Sequence, residues 1–130
     1  MAIRVVRLGS PRAPHEGSRL GTVRRPPRGV AKADFARLDY YDVWLPELSP
    51  SAAVVSGAIH EPWTPARWRR FTRQYLREMR APGPQHLIAL LAALSHGTNL
   101  SVGCYCADES RCHRSLLRQL LVEQGADVVP

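Results

Sequence analysis

Apolar and polar positions recur along the chain with periods that change from segment to segment, and those periods predict its elements. The opening "AIRVVRL" (2–8) is short, β-branched and closed by Gly9, Ser10 and Pro11, which predicts a first strand. From residue 9 to about 30 the chain is dense in Gly, Pro and Arg and reads as a loop. Within it only "SRLGTVR" (18–24) has strand character, expected at a sheet edge. In "KADFARLDYYDVWLPEL" (32–48), Phe35, Leu38, Tyr41, Leu45 and Leu48 stand at helical spacing, and Pro46 must end or kink that helix. "SPSAAVVSGAIHEP" (49–62) reads as a surface connection.

The clearest helix spans 64–80. Thr64 can cap it, Pro65 suits its first position, and Trp68, Phe71, Tyr75 and Met79 line one face while Arg69, Arg73 and Arg77 line the other. A second, strongly apolar helix runs from Pro84 to Gly97. "LSVGCYC" (100–106) then predicts an interior strand, "HRSLLRQLLVEQG" (113–125) a helix with its leucines inward, and "ADVV" a closing strand. Strand, helix and strand make a right-handed βαβ unit, which implies a parallel sheet. The expected fold class is therefore α/β: one small three-layer domain over residues 1–130, a mostly parallel sheet of about four short strands with helices packed on it. Ligands of such sheets bind beyond the carboxyl ends of the strands.

Charge changes this picture. The formal net charge is +7, and residues 1–37 carry all of it, with nine basic side chains against Glu16 and Asp34. Such a balance points to a phosphate-bearing or otherwise anionic small molecule, or to nucleic acid met by the basic first third and the arginine face of helix 64–80. A compositional bias toward arginine, which supplies all basic residues but Lys32, gives the same count without any partner. No segment approaches the roughly 20 apolar residues of a membrane span. Three cysteines crowded into nine positions suit reduced thiols rather than a disulfide framework, so the cytoplasm is the expected compartment. Oligomeric state leaves no signature.

Five stretches in this order, "RPPRGVAK" (25–32), "YDVWLPELSPS" (41–51), "WRRFTRQYLREM" (68–79), "LIALLAALS" (87–95) and "GCYCADESRCHRSLLRQLL" (103–121), resemble the short, YeaO-like branch of the DUF488 family. The resemblance implies a small α/β domain and no agreed activity. Relatives in that branch often keep an Asp-Glu pair here without the cysteines, so it assigns Cys104, Cys106, Cys112 and His113 no role shared by the branch.

The candidate chemistry lies between strand 100–106 and helix 113–125. Strand alternation puts Cys104 and Cys106 on one face, and after the five-residue loop 107–111 Cys112 and His113 open the helix. Those four side chains are candidate ligands for a zinc or iron ion, although C-x-C-x5-C-H lacks the usual CxxC knuckle. Cys112, beside Arg111, His113 and Arg114 at a helix start, is a candidate thiolate nucleophile, with Cys106, His113 and Glu109 as further catalytic candidates. His113 is a candidate base for Cys112, but neighbours on a helix do not face each other, so direct pairing is not expected and a base from elsewhere, His60 or His96, stands equal to it. Arg111, Arg114 and Ser115 at the helix N-terminus are candidate anion ligands, and Arg25 and Arg28 a far wall. Competing readings are ordinary: Cys104 and Cys106 as small buried hydrophobes, and Asp108 as a cap.

Overall fold

The β-branched opening forms β1 (Ile3–Arg7) of a computed structural model that describes residues 2–59 and 61–130. Three more strands, β2 (Ser18–Gly21), β3 (Val43–Trp44) and β4 (Leu100–Cys104), complete a sheet of order β1-β4-β2-β3 in which every neighbour is parallel. The last strand in sequence is thus inserted between the first two: Ile3 to Arg7 pair with Leu100 to Cys104 on one side, and Ser18 to Gly21 pair with Leu100 to Gly103 on the other. A strand paired on both sides and buried on both faces must be small or apolar, and Ser101, Val102, Gly103 and Cys104 are all buried.

Four helices pack with this sheet: α1 (Ala52–Ile59), α2 (Pro65–Met79), α3 (Pro82–Leu94) and α4 (His113–Glu123). The apolar stripe of α2 (Tyr75, Met79), that of α3 (Ile88, Leu91) and that of α4 (Leu116, Leu117, Leu121) meet Ile3, Leu20 and Val102 in one core. Each fully buried leucine or isoleucine there contributes about 1.5–3 kcal/mol. The opposite face of the sheet is covered by chain without α-helix. There Arg19, 0% exposed, forms an ion pair with Glu16 at 2.8 Å and donates to the carbonyls of Ser10 and Asp39, while Ser101 Oγ donates to Glu16. None of the described helices is long and apolar enough to cross a membrane.

Several expected elements differ. Residues 32–48 hold no α-helix, because the sheet claims their backbone: Asp42 N–H donates to Arg19 O and Leu45 N–H to Gly21 O, and Asp39 turns the chain with φ 63°. Two short 3-10 turns, Lys32–Asp34 and Pro46–Leu48, flank β3 instead. β2 is an interior strand, not an edge, since β3 covers its outer side. The expected surface connection contains α1, whose first turn is tied by Ser51: its Oγ accepts from Val54 N–H and its own N–H donates to Glu78. α3 starts at Pro82, as neither Pro82 nor Pro84 has to donate in a first helical turn. "ADVV" reaches the sheet only as a single parallel bridge from Val128 to Ile3.

Candidate functional site

Inserting β4 between β1 and β2 brings the segments that leave all three strands around one point. Leu8 follows β1, Val23 follows β2, and with Tyr41, Cys104 and Cys112 they form a second apolar cluster at the carboxyl end of the sheet. Leu8 N–H donates to Cys104 O at 2.8 Å and ends the ladder there. The chain then passes through Tyr105, whose hydroxyl donates to Arg25 O at 2.9 Å, and Cys106, whose carbonyl accepts from Arg114 Nη2 at 2.6 Å. Asp108 starts the 3-10 turn Glu109–Arg111 by accepting from Ser110 N–H and Ser110 Oγ. Its expected role as a cap holds, for this turn rather than for α4.

The three sulfurs converge. Sγ atoms of Cys104, Cys106 and Cys112 all lie within 4.8 Å of one another, with Cys104 Sγ 3.8 Å from Cys106 Sγ. Cys104 and Cys112 are buried and Cys106 is exposed. Cys112 takes the N-cap position of α4 with extended backbone, φ −128° and ψ 150°. Its side chain is therefore off the helical spacing, and its Sγ comes to 3.7 Å from His113 Nδ1. The expectation that Cys112 and His113 do not pair is thereby corrected: a cap residue is not bound by the rule for helix neighbours. His113, 4% exposed, approaches Thr22 O through Nε2 at 2.7 Å. A carbonyl only accepts, so Nε2 carries a hydrogen and Nδ1 is the ring atom that faces Cys112. Thr22 in turn donates its hydroxyl to Gly103 O at 2.9 Å.

The electrostatics divide the three thiols. Cys104 donates toward Cys106 and is buried, so its thiol is pushed well above the ordinary range. Cys106 accepts from Cys104 and Cys112 and feels the charge of Arg114, and these outweigh burial to hold it well below that range. Cys112 is also lowered, by the bond from Cys104 and then by His113. The cluster thus concentrates negative charge on its exposed member. Arg114 itself is 3% exposed, and its Nε has no partner.

The other expected residues scatter. Glu109 pairs with Arg118, at 2.9 and 3.1 Å, rather than facing the sulfurs. Ser115 Oγ donates to Cys112 O at 3.0 Å, closing the first turn of α4. Arg111 turns away from Arg114 and lies over the Trp63 ring, 4.1 Å from its centroid, so Arg111, Arg114 and Ser115 do not form one cradle. Arg25 and Arg28 are exposed. His96 Nε2 meets Gly125 O beyond the far end of α4, and His60 lies outside the described residues. Thr22 and Trp63 were not singled out by sequence; "EPWTP", a tryptophan between prolines ahead of a helix, was the available sign for Trp63, and Thr22 offered none.

Fold and turn together define a small parallel α/β domain with a thiol cluster at the carboxyl end of a central strand. The family model described as "Active DUF488-N3 subclade" matches residues 3–125, and the chain belongs to the DUF488 family. That match is to the N3 subclade and does not single out the YeaO-like branch. No curated protein and no solved structure matches the chain.

Proposed function

We propose that this chain is an enzyme-like protein for an anionic small molecule, with Cys106 as the reacting thiolate. The observation that supports this reading best is Arg114. A buried guanidinium with an unbonded Nε, and with no carboxylate partner among the described residues, is costly unless an anion lies beside it. The thiolate of Cys106 is that anion, and being exposed it is also the sulfur a substrate reaches.

In this reading the Cys106 sulfur gives its electron pair to an electrophilic centre of the substrate. The leaving group departs with its bonding pair and takes a proton from the Cys112–His113 pair. Water then displaces the sulfur and returns that proton. Three free thiols suit a reducing compartment, which is where the cytoplasm enters the proposal.

The test is the pH dependence of alkylation by iodoacetamide, followed at each cysteine by peptide mass. Cys106 is expected to react at pH 6 nearly as fast as at pH 8, and a Cys106→Ser variant to lose this phase. A rate at Cys106 that climbs about tenfold per pH unit until roughly 8.5, the course of an ordinary thiol, overturns the proposal.

A second reading, a zinc or iron ion on Cys104, Cys106 and Cys112, is favoured by one distance. Sulfurs about 2.3 Å from a tetrahedral zinc stand roughly 3.8 Å apart, and Cys104 Sγ and Cys106 Sγ are 3.8 Å apart. His113 Nδ1 faces Cys112 alone, so the fourth position in this reading falls to an outside group on the exposed side. Here the purified protein carries one ion, the thiols resist iodoacetamide until a chelator is added, and a Cys104→Ser variant loses the metal.

A further inference from the structure

Beside the thiol turn lies a cleft of about 160 Å³ that the reading above does not use. Its floor is apolar: Val54 of α1 and the stacked Trp68 and Phe71 of α2, whose ring centroids are 5.5 Å apart. Its rim is cationic, from Arg67, Arg70 and Arg111. Arg67 is engaged within the chain, with Glu61 and with Gly57 O. Arg70 forms no ion pair among the described residues, and the ion pair of Arg111 with Asp108 is loose, 3.7 Å between groups both more than half exposed. Such an exposed pair holds Arg111 only weakly, so it is available to an incoming anion.

Trp63 completes the arrangement. It is 45% exposed, and the guanidinium of Arg111 lies over its ring. Leaving a tryptophan this open forgoes part of its burial energy, and a planar ring laid against it regains that contact. The cleft therefore offers two kinds of contact at once: apolar and aromatic side chains, and two guanidiniums at its edge that match a doubly charged oxyanion. A volume of about 160 Å³ encloses a single heterocycle, so the remainder of a larger ligand would lie at the cationic rim.

We infer that the cleft between Trp63 and Arg70 binds a nucleoside monophosphate, the base against Trp63 and the phosphate between Arg70 and Arg111. The ligand as substrate rests on the reading of Cys106 as a reacting thiolate: Arg111 is the residue before Cys112, so the turn that touches the phosphate also carries the thiols. The binding itself does not require that reading.

The experiment follows tryptophan fluorescence of the full chain on titration with adenosine 5′-monophosphate, adenosine or inorganic phosphate. Saturable quenching by the monophosphate is expected, at least about tenfold tighter than by either half alone. Trp63→Leu and Arg70→Gln are each expected to weaken it by about tenfold, with Arg70→Gln, at an exposed position, serving as the variant least able to disturb folding. Its binding is read by calorimetry where the fluorescence signal is lost. Monophosphate binding by the parent chain whose Cys106 nevertheless alkylates like an ordinary thiol leaves the cleft standing and removes the thiolate reading. Monophosphate binding no tighter than inorganic phosphate, or indifferent to Arg70→Gln, overturns the inference. So does a short single-stranded oligonucleotide that binds more tightly than the monophosphate, weakens steeply with salt and ignores Trp63→Leu, since that behaviour belongs to a backbone-tracking surface.

Discussion

Replacing Glu16 by Gln removes the anion from the most enclosed ion pair of the fold. Its carboxylate accepts from Arg19 Nε at 2.8 Å, Arg19 Nη2 at 3.0 Å, Ser101 Oγ at 2.8 Å and Ala13 N–H at 3.2 Å. In the variant Arg19 stays charged at 0% exposure, met only by neutral acceptors: the carbonyls of Ser10 and Asp39 and the one amide oxygen left at position 16. Breaking a buried pair from one side costs about 3–5 kcal/mol. A second figure comes from the electrostatics of the Glu16 carboxyl. Burial alone would raise the Glu16 carboxyl, but Arg19, Ser101 and the Ala13 amide outweigh it and hold the group at about 2 against an ordinary 4.5. That difference corresponds to about 3 kcal/mol. Both routes give a loss of about 3 kcal/mol at pH 7, on the order of 10 °C in melting temperature for a chain of this size.

The sign is as informative as the size. A depressed carboxyl stabilises the fold fully above about 4.5 and ceases to do so as pH falls through about 2. Urea unfolding of parent and Glu16→Gln should therefore differ by the full amount at pH 7, by less at pH 3.5, and by nearly nothing near pH 2. A difference below about 1 kcal/mol at pH 7, or one that stays constant into acid, would refute the assignment of Glu16 as the counter-charge of Arg19.

Two further perturbations probe the carboxyl end of the sheet. Arg114→Met removes the buried cation while keeping its apolar stem, so the Cys106 thiol should move up toward its ordinary range, read as a rightward shift of the iodoacetamide pH profile. An unmoved profile would mean that the neighbouring thiols alone hold the charge. Gly21→Ala would place a Cβ 2.4 Å from Tyr41 Cδ2, inside a packed cluster, and should cost about 1–3 kcal/mol in chemical denaturation; a neutral result would show that Tyr41 moves aside freely.

The elements that sequence revealed are those whose signals are local. α2 was legible from Thr64, Pro65 and the Trp68–Met79 stripe, because a cap, a first-turn proline and a helical period all act within a few residues. The convergence of Cys104 and Cys106 was expected from strand alternation through residue 106, but β4 ends at Cys104, and the turn after it, not the pleat, brings Cys106 to the cluster. What escaped depends on distant partners. Residues 32–48 have helical spacing, yet Asp42 and Leu45 donate to carbonyls of β2, and a ladder bond outcompetes a marginal helix. His113 is oriented by Thr22 O, 91 residues away, and no local pattern announces that contact. Arg114 was expected to face a ligand; the turn folds it inward onto the carbonyl of Cys106.

The same distinction bears on the charge. A net charge of +7 argues for a polyanion only where the guanidiniums face outward. Arg19 is sealed with Glu16, Arg12 bonds Asp39 and Asp42, and Arg24 donates to the carbonyls of Pro46, Ser49 and Pro50. These arginines hold loop to sheet, and their charge is largely answered inside the molecule. Arg25 and Arg28 remain exposed, and the loop that bears them is tied by Arg25 O to Tyr105, the residue before Cys106. Part of the positive charge of the first third is therefore engaged inside the molecule, while Arg7, Lys32 and Arg37 face outward as Arg25 and Arg28 do. Of the outward charge, Arg25 and Arg28 sit on the segment fastened to the thiol turn, where in the proposed reading they favour an anion approaching Cys106.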